Sequence, residues 1–335
     1  WATVAGSNTN TMFDVVRDNP ADSHPLLEGW IQRDLAVDLF RAAGQDFEAL
    51  KKKAQQRDFT PVTLTGASLD AKYAVKTEVI TSHNVAARLE GSSHPDETVI
   101  YSAHWDHIGV GEPDARGDRI FNGALDNASG TAALVELARG FAKAGTPERS
   151  VVFLAVTAEE KGLLGSEYYA THPLYPLEKT VAVINMDGMA PFGPSRDFGI
   201  YGSAKFELLD QLKEVAGRWD IRYTPDPKPE AGLFFRSDHF PFAKRGVPAL
   251  SWSAGQDWVD GGVAAGKRAS DDYTAKRYHQ QGDQWQPDWT FAGAARDLEV
   301  LYTLGHDLAN SRAWPNWDRA ESFRAVRDQS ADQRR

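Results

Sequence analysis

The sequence predicts an α/β protein with a mixed, largely parallel central sheet sandwiched between helices, and three observations carry that expectation. First, three nearly unbroken apolar runs of strand length, "TVIYSAH" ending at His104, "SVVFLAV" ending at Val156 and "TVAVINMD" ending at Asp187, have the pattern of strands buried on both faces. Second, helical stretches lie between and after these runs, so that strand and helix alternate. Third, polar residues gather where the runs end, and open α/β sheets bind ligands at the carboxyl ends of their strands.

Residues 1–27 are polar and turn-rich ("GSNTN", "DNPADSHP") and read as a linker or remnant, and the opening at Trp1 rather than Met is read as a processed or trimmed start. Residues 28–70 form a helical connector, in which "WIQRDLAVDLFRAA" closes at Gly44 and "DFEALKKKAQQR" opens on Asp46 as a cap. A main domain over residues 71–318 begins with "YAVKTEVITSHNVAARLEG", whose alternation predicts strands. After the first buried run comes a loop rich in Gly and Asp, Trp105 to Leu125. The amphipathic helix "SGTAALVELARGFAKAG" follows, closing at Gly145. Beyond the second run, "GLLGSEYYATH" is a helix. Beyond the third, "FGIYG" is a strand, "AKFELLDQLKEVAGRW" a helix, "VPALSWS" a strand and "TFAGAARDLEVLYTLGHDLANS" a long closing helix. Residues 319–335 are a polar tail, expected to fray.

Composition narrows the function. The 335 residues suffice for a large core, and 41% hydrophobic with 25% charged residues is the balance of a globular protein. A net charge of -10 without a basic stripe argues against nucleic-acid binding. No apolar run approaches the roughly 18 to 20 residues of a membrane span. The absence of cysteine excludes disulfides, thiolate ligands and a Cys nucleophile, leaving any metal to His, Asp and Glu.

The strand ends supply those residues. "SAHWDH" places His104 at one end, "GALDNASG" puts Asp126 before a helix, "TAEE" gives Glu159 and Glu160, "INMDG" gives Asp187, and "RYHQQGD" offers His279. One His or Asp at a strand end is usually a satisfied hydrogen-bonding residue. Five such motifs together would cost several kcal/mol per buried charge without a cation. Two His and three carboxylates make a ligand set for two Zn²⁺ ions, each taking one His and one carboxylate and sharing the third. Asp106 and Asp283 are the carboxylates available to orient the imidazoles. One Glu of the adjacent pair is then left over to act as base on a metal-activated water.

These motifs, "AHWDH", "LDNASGTAALVELAR", "AEEKGLLGS", "NMDG", "RSDHFPFAKRGVPAL" and "YHQQGD" in this order, resemble the zinc exopeptidase family of the secreted bacterial leucyl aminopeptidases, glutamate carboxypeptidase and the glutaminyl cyclases. The resemblance runs from about Thr77 to Ser311 and implies the zinc-dependent exopeptidase fold. It implies that His104 and Asp187 hold one zinc, Glu160 and His279 the other, and that Asp126 bridges. Glu159 would be general base and acid, and Tyr278 would stabilise the oxyanion. The substrate's free amine would meet Asp187, Glu159 and the main-chain carbonyl of Arg236. The implied substrates are peptides with a free N-terminus, and the implied location is periplasmic or secreted. Residues 1–27 resemble the end of a protease-associated insert. Where the family commonly has "DT" after the last His motif, this chain has "DQW".

Other residues carry weaker signals. Asp238, His239 and His107 could be ligands on chemistry alone, but with the five-donor set complete they are read as shaping the substrate loop. Phe234, Phe235 and Trp252 suit either a pocket for an apolar side chain or plain core. The sequon at Asn127 sits against Asp126 and is read as inaccessible. Three readings compete: a di-zinc aminopeptidase, a relative of the same fold (a mono-zinc cyclase-type acyltransferase or a carboxypeptidase), and a non-catalytic binding ectodomain. The third is disfavoured because no donor is missing.

Overall fold

The computed structural model describes residues 11–19 and 27–334, so most of the expected 1–27 remnant lies outside the described residues. The chain divides into two compact units, one of residues 1–12 and 16–81 and one of residues 13–15 and 82–335.

In the first unit, helices α1 (Arg33–Ala42) and α2 (Phe47–Lys53) lie within the stretch 28–70, and the unit extends past it to residue 81. Asp46 caps α2 by accepting the Ala49 N–H at 2.9 Å. The helices meet through Phe40 and Phe47, edge to face at 5.2 Å, and through the Arg33–Glu48 ion pair at 2.6 Å. Residues 73–84, expected as strand, have no regular structure. Their alternating valines lie exposed, so no partner sheet fixes the pattern.

The second unit follows the predicted alternation. Its strands are β1 (Val85–Leu89), β2 (His94–His104), β3 (Gly109–Val110), β4 (Ile120–Phe121), β5 (Arg149–Val156), β6 (Thr180–Met186), β7 (Asp197–Ile200), β8 (Arg222–Tyr223) and β9 (Ala249–Ala254). Its helices are α3 (Ser129–Ala144), α4 (Leu164–Thr171), α5 (Glu207–Gly217), α6 (His239–Lys244), α7 (Gly262–Lys276), α8 (Ala292–Ala309) and α9 (Phe323–Asp328). The main sheet has the order β1-β5-β2-β6-β9-β7-β8; β5, β2, β6 and β9 run parallel, whereas β1 and β7 are antiparallel to their neighbours β5 and β9. The three apolar runs are therefore adjacent central strands, and their carboxyl ends open on one edge. The expected loop after His104 contains the small hairpin β3–β4.

Helices pack closely on the sheet. The Tyr101 hydroxyl donates to the Leu301 carbonyl of α8 at 2.8 Å, and a Cβ at Gly305 would stand 1.8 Å from that hydroxyl. Any larger residue there would force the helix off the strand. The tail expected to fray is instead docked: α9 follows Trp317, and buried Arg327 donates to the Thr180 carbonyl at 3.0 Å. Charge along the sequence did not reveal that one of its arginines has a carbonyl waiting in the core.

Buried Arg149 at the start of β5 is held by Glu97 at 2.6 Å and by the carbonyls of Leu308 and Ala313. Glu97 also receives Arg312. Replacing Glu97 by Ala leaves the guanidinium of Arg149 without its counter-charge, and loss of one partner of a buried pair costs about 3–5 kcal/mol. Urea unfolding of Glu97→Ala is expected to show a loss of that order.

Candidate metal centre

The carboxyl edge of the sheet collects all five predicted donors. His104 is the last residue of β2 and is buried; Asp187 follows β6 directly; Glu159 and Glu160 lie in a tight turn after β5. That turn is not the first turn of a regular helix. Ala158 adopts a left-handed conformation, and the Gly165 N–H closes the loop onto the Thr157 carbonyl at 2.9 Å before α4 proceeds. Asp126 sits in an irregular turn leading into α3, with a cis peptide to Asn127, and His279 lies in the turn after α7.

The donor atoms form two triplets. His104 Nε2 is 3.2 Å from Asp126 Oδ1 and 3.3 Å from Asp187 Oδ1. His279 Nε2 is 3.3 Å from Asp126 Oδ2 and 3.2 Å from Glu160 Oε2. A tetrahedron with metal–ligand bonds of about 2.0 Å has edges of about 3.3 Å. Each imidazole stands at that distance from its two carboxylates, and Asp126 turns a different oxygen to each imidazole. The donor chemistry, imidazoles facing carboxylates, fits zinc.

The surroundings aim these donors. Asp187 Oδ2 accepts the Ser237 hydroxyl at 2.7 Å, Ser237 accepts from Asn185 at 2.8 Å, and Asn185 accepts the Ser102 hydroxyl at 2.7 Å. This chain fixes one oxygen of Asp187 inward and turns the other toward His104. Buried Asn127 has its carbonyl on the N–H groups of Gly130 and Gly188 and its amide on the Met186 carbonyl, tying α3 to the end of β6. Glycosylation there is sterically excluded, in line with the sequence reading.

Asp106 and Asp283 serve differently from expectation. His104 Nδ1 is held by the main-chain carbonyl of Asp106 at 3.0 Å, while the Asp106 carboxylate accepts the N–H groups of Glu159 and Glu160 at 3.0 and 3.3 Å. The Asp283 carboxylate accepts the N–H groups of Leu125 and Asp126. Each carboxylate hydrogen-bonds the backbone of a donor turn, because peptide N–H groups in these tight turns have no helical or sheet acceptor, and Asp106 Oδ1 also lies 3.8 Å from His104 Nδ1.

Carboxylates dominate the electrostatics. Burial opposes a charge on His104, but Asp126 and Asp187 outweigh it and hold its pKa well above the usual imidazole value. Burial raises Asp126, and His104 and His279 outweigh that and lower it. Glu159 is pushed well above the ordinary carboxylate range by burial first, with Asp187, Asp238 and Glu160 adding repulsion against the pull of His104. Burial raises the Tyr278 phenol, and Asp126 adds to the shift, so this group remains a proton donor; its ring stacks on His279 at 3.9 Å.

Of the weaker candidates, Asp238 and His239 are buried outside both triplets: Asp238 accepts the Ser166 hydroxyl at 2.6 Å and is pushed up to about 7 by burial, and His239 is pushed down to about 3 by burial. His107 is different. Its Nδ1 lies 2.6 Å from Glu160 Oε1, and His107, Asp126 and Glu160 place donor atoms within 4.8 Å of one another. Phe234 and Trp252 are core: Phe234 packs on Phe323 and Trp317, and Trp252 stacks on Phe198. Phe235 is 58% exposed and Arg236 is also exposed, so both remain available to a ligand.

Residues 84–303 match peptidase family M28, and the chain belongs to this family. The particular relatives are peptidases. Aminopeptidase NAALADL1 of Mus musculus is 32% identical over 200 residues, covering 52% of this chain and 24% of that protein. A probable zinc metalloprotease of Pyrenophora teres f. teres is 39% identical over 103 residues, covering 31% of this chain and 22% of that protein. The aminopeptidase structure from Aneurinibacillus sp. is 21% identical over 68% of this chain and 48% of that chain, with a TM-score of 0.49. The matched stretches thus span less than a quarter of the two curated relatives' lengths. Among the described residues no helix is long and apolar enough to cross a membrane.

Proposed function

We propose that the chain is a di-zinc aminopeptidase that removes the N-terminal residue of peptides. One observation carries this reading: the two oxygens of Asp126 face two different imidazoles, 3.2 Å from His104 Nε2 and 3.3 Å from His279 Nε2, and each imidazole has a further carboxylate at 3.2–3.3 Å. His104, Asp187 and Asp126 would hold one zinc, and His279, Glu160 and Asp126 the other. Zinc in such a site supplies Lewis acidity and lowers the pKa of water.

The protein's own groups do the rest. Glu159, with its pKa raised by burial, takes a proton from the attacking water and passes it to the departing amine; a base is most effective when its pKa lies near the working pH. Tyr278 keeps its proton and donates a hydrogen bond to the carbonyl oxygen as negative charge develops there. The free amine of the substrate is received by Asp187, Glu159 and the Arg236 carbonyl, and Phe235 offers an exposed apolar face beside that segment. We extend the proposal to action outside the cytoplasm, which fractionation of the producing cell tests.

One observation favours a second reading. Arg236 is exposed, its charge opposes the rise of the Tyr278 phenol pKa, and such a cation suits a terminal carboxylate. A carboxypeptidase would use it so. A panel of aminoacyl anilides, N-acetylated anilides and N-blocked dipeptides, each with and without chelator, separates the readings. Free-amine anilides are expected to be cleaved in a chelator-sensitive manner, and N-acetylation is expected to suppress cleavage. Rapid release of the C-terminal residue from blocked dipeptides would instead establish the carboxypeptidase.

A further inference from the structure

The third histidine of the centre, His107, lies outside the five-donor set, and its contacts assign it a task. Its side chain is 7% exposed, and its ring packs edge-on to His279 with centroids 5.8 Å apart. It is pressed against Gly123, where a Cβ would stand 2.7 Å from His107 Cγ. Its Nδ1 is 2.6 Å from Glu160 Oε1, the oxygen that does not face His279. Neither atom has another hydrogen-bond partner.

Two lone pairs do not rest 2.6 Å apart in a buried site, so a cation or a proton must lie between them. A shared zinc fits poorly: with bonds of about 2.0 Å it would see the two atoms at only about 80°, far below the tetrahedral angle. A proton on Nδ1 needs only the neutral imidazole tautomer.

We propose that His107 is a positioning residue that holds Glu160 through Oε1 and so presents Oε2 alone to the second metal. The inference rests on the di-zinc reading. Without His107, Glu160 Oε1 is a buried oxygen without a donor, and the carboxylate turns to regain one. Of the adjacent triplet only Asp126 places a donor atom within 4.8 Å of His107, while His104 and Asp187 are held by the Asp106 carbonyl and the Ser237 hydroxyl, so that triplet keeps its geometry.

The test uses zinc-free full-length protein titrated with zinc against a competing chromophoric chelator, for wild type, His107→Ala and His107→Asn. The Asn amide can place an N–H where Nδ1 stands. Loss of a group that orients a metal ligand typically weakens metal affinity about 10- to 100-fold. In His107→Ala, one of two sites is expected to weaken by that factor and the other to hold, and Asn is expected to recover most of the loss even if Ala lowers thermal stability. X-ray absorption of the two-zinc form is expected to show an average of one imidazole per zinc in all three proteins. A lower imidazole count in the variants would overturn the inference by making His107 a ligand, and equal affinities in all three would overturn it by making His107 idle. Fewer than two zinc sites in wild type would remove the di-zinc reading beneath it.

Discussion

Replacing Asp126 by Ala is expected to remove both metals and with them all measurable peptidase activity. The expectation follows from the position of its two oxygens, 3.2 Å from His104 Nε2 and 3.3 Å from His279 Nε2, which make it the only residue common to both triplets. Every other donor substitution leaves one triplet whole. The substitution should leave the fold in place, because the Asp126 N–H, which fixes the turn on Asp283, is a main-chain group that Ala retains. Losing the carboxylate also releases charge that is costly to bury beside Glu159 and Asp187. Elemental analysis should fall from two zinc toward none, with far-UV circular dichroism unchanged. Retention of one tightly held zinc would show that Asp126 belongs to one site and does not bridge.

Much of this centre was legible in the sequence because the fold puts chemistry at a place the sequence marks. An apolar run of strand length announces a central strand, and the residue at its carboxyl end must face the open edge; His104 and Asp187 were placed by that logic, and the structure puts them 3.3 Å apart. What stayed hidden depends on direction rather than position. Spacing puts Asp106 two residues from His104 but does not say that its carbonyl reaches the imidazole while its carboxylate reaches two N–H groups of another turn. Five donors complete the set on spacing alone, so the sequence does not single out His107, and only the folded structure brings its Nδ1 within 2.6 Å of Glu160 Oε1. Phe234 and Phe235 are neighbours of identical type, yet one is core and the other exposed, since the short helical turn that holds them points successive side chains to different sides. Helix α7 was missed because its residues, from Gly262 to Lys276, bury little beyond Gly266 and so show no strong apolar stripe.

The last expectation separates the two carboxylates of "TAEE", which share a turn and one anchoring residue. Asp106 holds both of their N–H groups, so the backbone treats them alike and only their side chains differ. Glu160 Oε2 lies 3.2 Å from His279 Nε2, in the second triplet, and Glu160→Gln replaces an anionic donor by a weaker one. Zinc content at that site should drop first, and activity should fall with it. Glu159 has no place in either triplet, and its raised pKa suits proton transfer. Glu159→Gln keeps the shape, removes a charge that burial opposed, and leaves nothing to take the proton from water. Zinc content and thermal stability are expected to persist while kcat falls by about 10²- to 10⁴-fold, the range of a positioned general base. KM should rise only modestly, since one of three groups proposed to receive the substrate amine loses its charge. Measuring zinc content, kcat and KM for both variants decides the assignment: loss of metal from Glu159→Gln with retention in Glu160→Gln would exchange the two roles.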